Sequence, residues 1–232
     1  MLDKRSVLAI IPARGGSKRV KKKNKRLIAG LPLISWTIRA CLGCDHIDEI
    51  VVSTDDQDIA KIARGEGITQ IHNRLPHLAS DSSPTMDTVI EIVDQFDRND
   101  EAFDIIFLAQ PTSPLRTSED ISSALEILMT SWPSAVISVT ETAHPKEWQS
   151  VLDDDGDMSS FLKNTQLEKS SVSLPKSYVV NGAIYMAPRA RLLKEKTFFL
   201  PQACRAFVMP PRKSVDIDTE FDFEIAEYLL CK

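Results

Sequence analysis

The chain has 232 residues, 43% of them hydrophobic, enough for one large domain or one domain with an appendage. No apolar stretch approaches the ~18 residues of a membrane span, and Met1-Leu2-Asp3-Lys4-Arg5 lacks the apolar core of a secretion signal, so a cytoplasmic protein without a membrane partner is expected. Four unpatterned cysteines exclude a disulfide framework, and a net charge of −5 argues against a long polyanion as ligand.

The first predicted element is a short apolar strand, Ser6-Val7-Leu8-Ala9-Ile10-Ile11, which empties into Pro12-Ala13-Arg14-Gly15-Gly16-Ser17-Lys18 and then Lys21-Lys22-Lys23-Asn24. From Arg14 to Arg26 there are eight Lys or Arg and no acid, on an otherwise acidic chain. Glycines that let backbone come close, exposed N–H groups and cations at a strand end are what holding a phosphate chain requires. The spacing spells neither a Walker A loop nor a dinucleotide fingerprint, which sets both aside as first readings. The plain alternative is a solvated basic loop. A nucleic-acid-binding module built on Lys21-Lys22-Lys23 is a third reading, but it lacks interleaved aromatics and the acidic remainder would repel a phosphate backbone.

Downstream, apolar runs at 49–53, 69–72, 105–108 and 135–139 are short and barely alternating, the pattern of strands buried on both faces. Helical patterns at 33–44, 56–64, 85–96 and 118–129 separate them, the last with Ser118 as the expected N-cap ahead of Glu119 and Asp120. Cys41-x-x-Cys44, with His46 nearby, falls inside the first of these helices, and no second Cys or His pair follows at zinc-site spacing. The alternation predicts an α/β three-layer sandwich with a mostly parallel central sheet, in which ligands bind at the carboxyl ends of the strands. It breaks at Glu141, and the polar, irregular stretch to Val180 is too long for a structureless loop, so 141–180 reads as an inserted arm or lid of one domain spanning 1–232. The core pattern returns with Asn181-Gly182-Ala183-Ile184-Tyr185-Met186 and Ala206 to Met209, and a helix from Thr219 to Leu230 closes the chain.

Two further loops carry candidate chemistry. Gln110-Pro111-Thr112-Ser113-Pro114-Leu115-Arg116 follows a strand directly, with two prolines to pin the backbone and amide, hydroxyl and guanidinium groups to meet a polar substrate. A rigid turn into the next helix is the plainer reading. In Ser214-Val215-Asp216-Ile217-Asp218-Thr219-Glu220, two carboxylates two residues apart point to one side if the segment is extended. Such a pair suits Mg²⁺ shared with a triphosphate, since that ion keeps several waters and takes only one or two protein carboxylates. Thr219 and Asp222 also have the spacing of a capping box, which offers Asp218 a merely structural role.

Taken together, Ile-Pro-Ala-Arg-Gly-Gly-Ser-Lys with Lys23-Asn24, Val52-Ser53-Thr54-Asp55, Leu78-Ala79-Ser80-Asp81, Gln-Pro-Thr-Ser-Pro-Leu-Arg, Asn181-Gly182-Ala183-Ile184-Tyr185 and Val-Asp-Ile-Asp-Thr resemble the acylneuraminate cytidylyltransferases, or CMP-sialic acid synthetases. The resemblance covers about residues 6 to 230 and implies a nucleotide-diphospho-sugar transferase fold. It implies an enzyme that joins CTP to a nine-carbon 2-keto sugar acid with Mg²⁺ as cofactor, releasing pyrophosphate. By the same resemblance Arg14, Ser17, Lys23 and Asn24 would hold the triphosphate, and Arg74 and Thr85 would help bind the nucleotide. Gln110, Pro111 and Thr112 would contact the sugar, Asp216 and Asp218 would hold the metal, and Arg14, Lys23 and Asp216 would carry the catalysis. A homodimer through the 141–180 arm is implied as well.

Several positions depart from the family pattern. Arg19-Val20-Lys21 replaces Gly-Ile-Pro, Val179-Val180 replaces an Arg-Pro before Asn181, and Ser171 stands where an arginine is frequent. The missing arginines lie near the sugar acid in relatives, so they bear on which sugar is used, with legionaminic and pseudaminic acids as the alternatives to N-acylneuraminate. The octulosonate type of sugar cytidylyltransferase shares the Ile-Pro-Ala-Arg opening but is not expected to carry Gln-Pro-Thr-Ser-Pro-Leu-Arg.

Overall fold

Every other residue of the first strand points to an opposite helix layer, and that alternation organises the molecule. In the computed structural model, which describes residues 5–75, 78 and 83–232, β1 (Val7–Pro12) leads through a small hairpin, β2 (Leu27–Ile28) and β3 (Leu31–Pro32), into α1 (Leu33–Leu42). There follow β4 (Glu49–Thr54), α2 (Gln57–Gly65), β5 (Gln70–Asn73), α3 (Thr85–Arg98), β6 (Ile105–Leu108), α4 (Ser118–Ser131) and β7 (Ala135–Glu141). The chain ends with α5 (Ser159–Lys163), β8 (Tyr178–Pro188), α6 (Arg189–Glu195), β9 (Cys204–Val208) and α7 (Glu220–Leu230).

The main sheet has the order β5-β4-β1-β6-β8-β7-β9. Strand β8 is antiparallel to both its neighbours, while the other pairings are parallel, so the sheet is mostly parallel. Val7, Ala9 and Ile11 pack with α1, α2 and α4 on one face; Leu8 and Ile10 pack with α3 and Leu192 of α6 on the other. Residues 7–11 are fully buried, so truncating one of them, Ile10→Ala for instance, removes apolar contact on both sides of a cavity and costs roughly 2–5 kcal/mol. A third cluster joins Val20, Ile28, Leu33 and Ile217 to Phe223 and Ala226 of α7.

The expectation of strands buried on both faces fails at the sheet edge. Among the described residues β5 has no outer neighbour, and its Gln70 and Asn73 are exposed. The N-cap of α4 is Thr117 rather than Ser118: its side chain and that of Asp120 form a reciprocal capping box, so the helix begins one residue earlier than a cap at Ser118 would set it. The capping box at Thr219 and Asp222 forms as expected. Cys41 and Cys44 turn into the core beside α4, and burial pushes the Cys41 thiol up to about 12.

Beyond the sheet, β7 and β8 continue as a two-stranded ribbon, with Val139 opposite Val180 and Glu141 opposite Tyr178. The ribbon carries 142–177, where α5 is the longest element and where no residue from 146 to 180 is buried. Val151, Leu152, Leu162, Val172, Val179 and Val180 are exposed, Val172 by 93%.

Candidate active site

The basic loop leaves β1 at the carboxyl end of the sheet and is pinned at several points. The Gly15 N–H donates to Asp55 Oδ1 at 2.8 Å, just past β4. A Cβ on Gly15 would stand 2.8 Å from Asp56 Cβ, a contact no side chain tolerates, so glycine is required there. Asn24 is buried and its Nδ2 donates to the Arg14 carbonyl at 2.9 Å, closing the loop on itself. Lys25 reaches Asp56 at 2.8 Å and Asp58 at 2.7 Å, and Val20 packs beside Ile217 in the third cluster. Lys21 and Lys22 alone of the triple lysine face solvent; Lys23 turns inward, its Nζ donating to the Ile217 carbonyl at 2.5 Å and lying 3.5 Å from Asp218 Oδ1.

The second wall comes from the turn after β6. Thr112 accepts the Ile217 N–H at 2.8 Å, which ties the Gln110 turn to the carboxylate segment. Arg116, read from sequence as a substrate group, is instead buried inside this wall: its Nη1 donates to the carbonyls of Ala183 at 2.6 Å and Gln110 at 3.3 Å. Nη1 alone brackets the two backbone segments, while Nε and Nη2 are buried with no hydrogen-bond partner among the described residues. Behind lies Gly182, at φ +75, where the β7–β8 register shifts. A Cβ there would come within 3.1 Å of Gln110 Oε1 and 3.2 Å of Asp216 Oδ2, so the missing side chain leaves these two groups room to approach a common point.

Between the walls lies a cleft of about 550 Å³. Arg14, Ser17, Lys23, Asn24, Arg74, Thr85, Gln110, Pro111, Thr112 and Asp218 all line it. Asp216 does not line it: the residue is exposed, while its carboxyl lies against the Thr112 side chain and is partly shielded from solvent. Lys18, Arg19, Leu78 and Ser83 line the cleft too and were not singled out from sequence as binding residues. Lys18 and Arg19 belong to the basic run, so strand-end position plus charge could have included them. Ala79, Ser80 and Asp81 lie outside the described residues. Val179, Val180 and Ser171 are exposed on the ribbon and arm and do not line the cleft.

The electrostatics are those of a site short of a ligand charge. Burial lowers the Lys23 ammonium from its ordinary value against the pull of Asp218, and burial likewise lowers the Arg74 guanidinium. Burial raises the Asp216 carboxyl, a hydrogen bond from the Thr112 side chain opposes this, and the neighbouring Asp218 raises it further. Arg19 lies 3.2 Å from Asp218, an exposed pair that contributes little by itself. Among the described residues no group of three or more His, Cys, Asp or Glu side chains gathers to hold a metal; the hard-oxygen donors here are the Asp216 and Asp218 pair.

Fold and cleft together define a nucleotidyltransferase. The cytidylyltransferase family model matches residues 8–221. Over 224 residues the chain is 38% identical to the CMP-N,N'-diacetyllegionaminic acid synthase of Legionella pneumophila, covering 97% of this chain and 96% of that one. It is 33% identical to N-acylneuraminate cytidylyltransferase A of Danio rerio over 96% of its length, spanning 50% of the fish protein. It is 30% identical to a pseudaminic acid cytidylyltransferase of Campylobacter jejuni, over 96% of this chain and 95% of that one. In fold it is similar to CMP:2-keto-3-deoxy-manno-octonic acid synthetase complexed with CTP, at a TM-score of 0.70 and 16% identity over 97% and 98% of the two chains. The chain belongs to the cytidylyltransferase family, in the CMP-sialic acid synthetase group, and is a nucleotidyltransferase.

Proposed function

We propose that this protein transfers CMP from CTP to an N-acylated nine-carbon 2-keto sugar acid, with a legionaminic-type sugar used at least as well as N-acetylneuraminate. The observation that carries the reaction is the single cleft in which the basic loop, the Gln110 turn and Asp218 face one another. Support for the sugar is the 38% identity to the Legionella enzyme across nearly the whole of both chains. The N-acetylneuraminate reading rests on the 33% identity to the fish enzyme.

In this reading Arg14, Ser17, Lys23 and Asn24 hold the triphosphate: Arg14 as a bidentate cation, Lys23 as a point charge, and Asn24 by keeping the Arg14 carbonyl turned away. Arg74 and Thr85 hold the nucleoside side, and Gln110, Pro111 and Thr112 the sugar. Asp216 and Asp218 fit Mg²⁺, because an Asp216 carboxyl raised by burial and by its neighbour Asp218 gains from a shared cation, which when bound would neutralise charge on phosphate oxygens. The anomeric hydroxyl oxygen attacks the α-phosphorus and gives up its proton to the Asp216 carboxylate, the new O–P bond forms as the bond from the α-phosphorus to the bridging oxygen breaks, and pyrophosphate leaves. Positioning and electrostatic stabilisation of the spreading charge by Arg14 and Lys23 supply the rate. The exposed apolar residues of the arm, Val151, Leu162 and Val172 among them, pair with a second copy in a homodimer. A pyrophosphate-release assay with CTP against a panel of nonulosonic acids tests the function; release that does not depend on the sugar contradicts it.

A further inference from the structure

Ser53 and His72 are register partners on β4 and β5, so their side chains project from the same face of the sheet. Both are buried. Ser53 Oγ lies 2.9 Å from His72 Nδ1, and His72 Nε2 lies 3.4 Å from Glu91 Oε2 on α3, an oxygen with no other hydrogen-bond partner among the described residues. On its other side Ser53 meets the cleft: Arg74 Nε donates to Ser53 Oγ at 3.2 Å and Arg74 Nη2 to the Ser53 carbonyl at 3.4 Å. The same carbonyl accepts the Ala13 N–H at 2.8 Å, where β1 opens into the basic loop.

Proton accounting fixes the direction of this chain. A guanidinium only donates, so Ser53 Oγ accepts from Arg74; a neutral His72 that turns its Nε2–H to the Glu91 carboxylate leaves Nδ1 to accept the Ser53 proton. That requires an unprotonated Nδ1, and neutral His72 then carries its proton on Nε2, toward Glu91. The surroundings favour this form: burial first, then the Arg74 cation, hold His72 below its ordinary value, with Glu91 opposing. Asp55 and Arg14 are the other charged groups acting on Arg74.

We infer that Ser53 and His72 are positioning residues, which hold the Arg74 guanidinium in the orientation that a cytidine nucleotide in the cleft requires. The inference rests on the nucleotide-binding reading of Arg74 above. Protonating His72 turns Nδ1 into a donor, leaves the Ser53 proton without its acceptor and sets a second cation behind Arg74. CTP affinity therefore falls as the medium becomes acid.

The test measures the dissociation constant of CTP with Mg²⁺ by calorimetry for wild type, Ser53→Ala, His72→Leu and His72→Asn, each also in an Arg74→Ala background. Ser53→Ala and His72→Leu are expected to weaken CTP roughly five- to twentyfold, as loss of a hydrogen bond to a charged group does. His72→Asn, whose Oδ1 can accept the Ser53 proton, is expected to stay within about twofold, and its affinity should remain flat below neutral pH where that of the wild type falls. In the Arg74→Ala background none of the three changes should add a further loss, because the pair acts through Arg74. Ser53→Ala keeps the test alive if His72→Leu does not fold. The inference is overturned if Ser53→Ala leaves affinity within about twofold of wild type, or if the losses persist undiminished without Arg74. Wild-type protein that fails to bind CTP would overturn the nucleotide reading beneath it as well, whereas wild-type binding with indifferent variants overturns the positioning alone.

Discussion

The basic loop and the 142–177 arm invert what their compositions suggest. The loop, with eight cations, is held by Asp55, Asp56, Asn24, Val20 and Ile217, whereas the arm, with its valines and leucines, buries nothing from 146 onward. Charge next to strand ends is fixed because each strand end supplies a partner; apolar residues on an arm are bare because a single chain offers them no surface. The described walls of the cleft thus come from one chain, and the arm is the part that looks outward.

The largest effect expected from breaking the loop side of this comparison is that of Asp216→Asn. Losing one of the two carboxylates of this pair should lower kcat about 10²–10³-fold, roughly 3–4 kcal/mol of barrier, with the melting temperature little changed. Near-normal kcat at saturating Mg²⁺ would remove Asp216 from the chemistry. Next comes Gly182→Ala, which strains a backbone at φ +75 and drives a Cβ to within about 3 Å of Gln110 and Asp216. A loss of 1–3 kcal/mol in stability and at least a tenfold fall in kcat/KM are expected, read by thermal melts and initial rates. Arg14→Ala and Lys22→Ala separate pinned from solvated charge: the first should cost roughly ten- to a hundredfold in kcat/KM, the second less than about twofold. Equal losses would mean the loop acts only as a diffuse positive field.

On the arm, Val172→Asp should reduce self-association, seen as a halved mass by light scattering, while CTP affinity stays within about twofold. The smallest effect is pH-linked. His72 has a folded value below its unfolded one, so from about pH 6.5 down through the folded value the unfolded chain binds more protons and stability falls with falling pH. His72→Asn should flatten that part of the profile in urea melts from pH 7 to 5.

Much of this was legible in sequence because α/β proteins put chemistry immediately after strands. Pro12, Leu108 and Thr54 each end a strand and are each followed within a few residues by cleft or loop-holding groups, so reading strands located the site. What stayed hidden depends on direction and register. Arg116 carries the charge of a substrate group, yet its side chain turns back to the Ala183 carbonyl, which only the antiparallel entry of β8 brings near. The Ser53, His72 and Arg74 chain spans two strands whose pairing no local pattern reveals. The Thr117 cap escaped because Ser118 has the same capping chemistry, and only helix phase decides between them.

The most direct test of the central claim is to follow CTP, Mg²⁺ and N,N'-diacetyllegionaminic acid with this protein by ³¹P NMR. Equal amounts of pyrophosphate and a CMP diester should appear together, and neither should appear without the sugar. Breakdown of CTP to CMP in the absence of sugar, or no diester from any N-acylated nonulosonic acid, would contradict it.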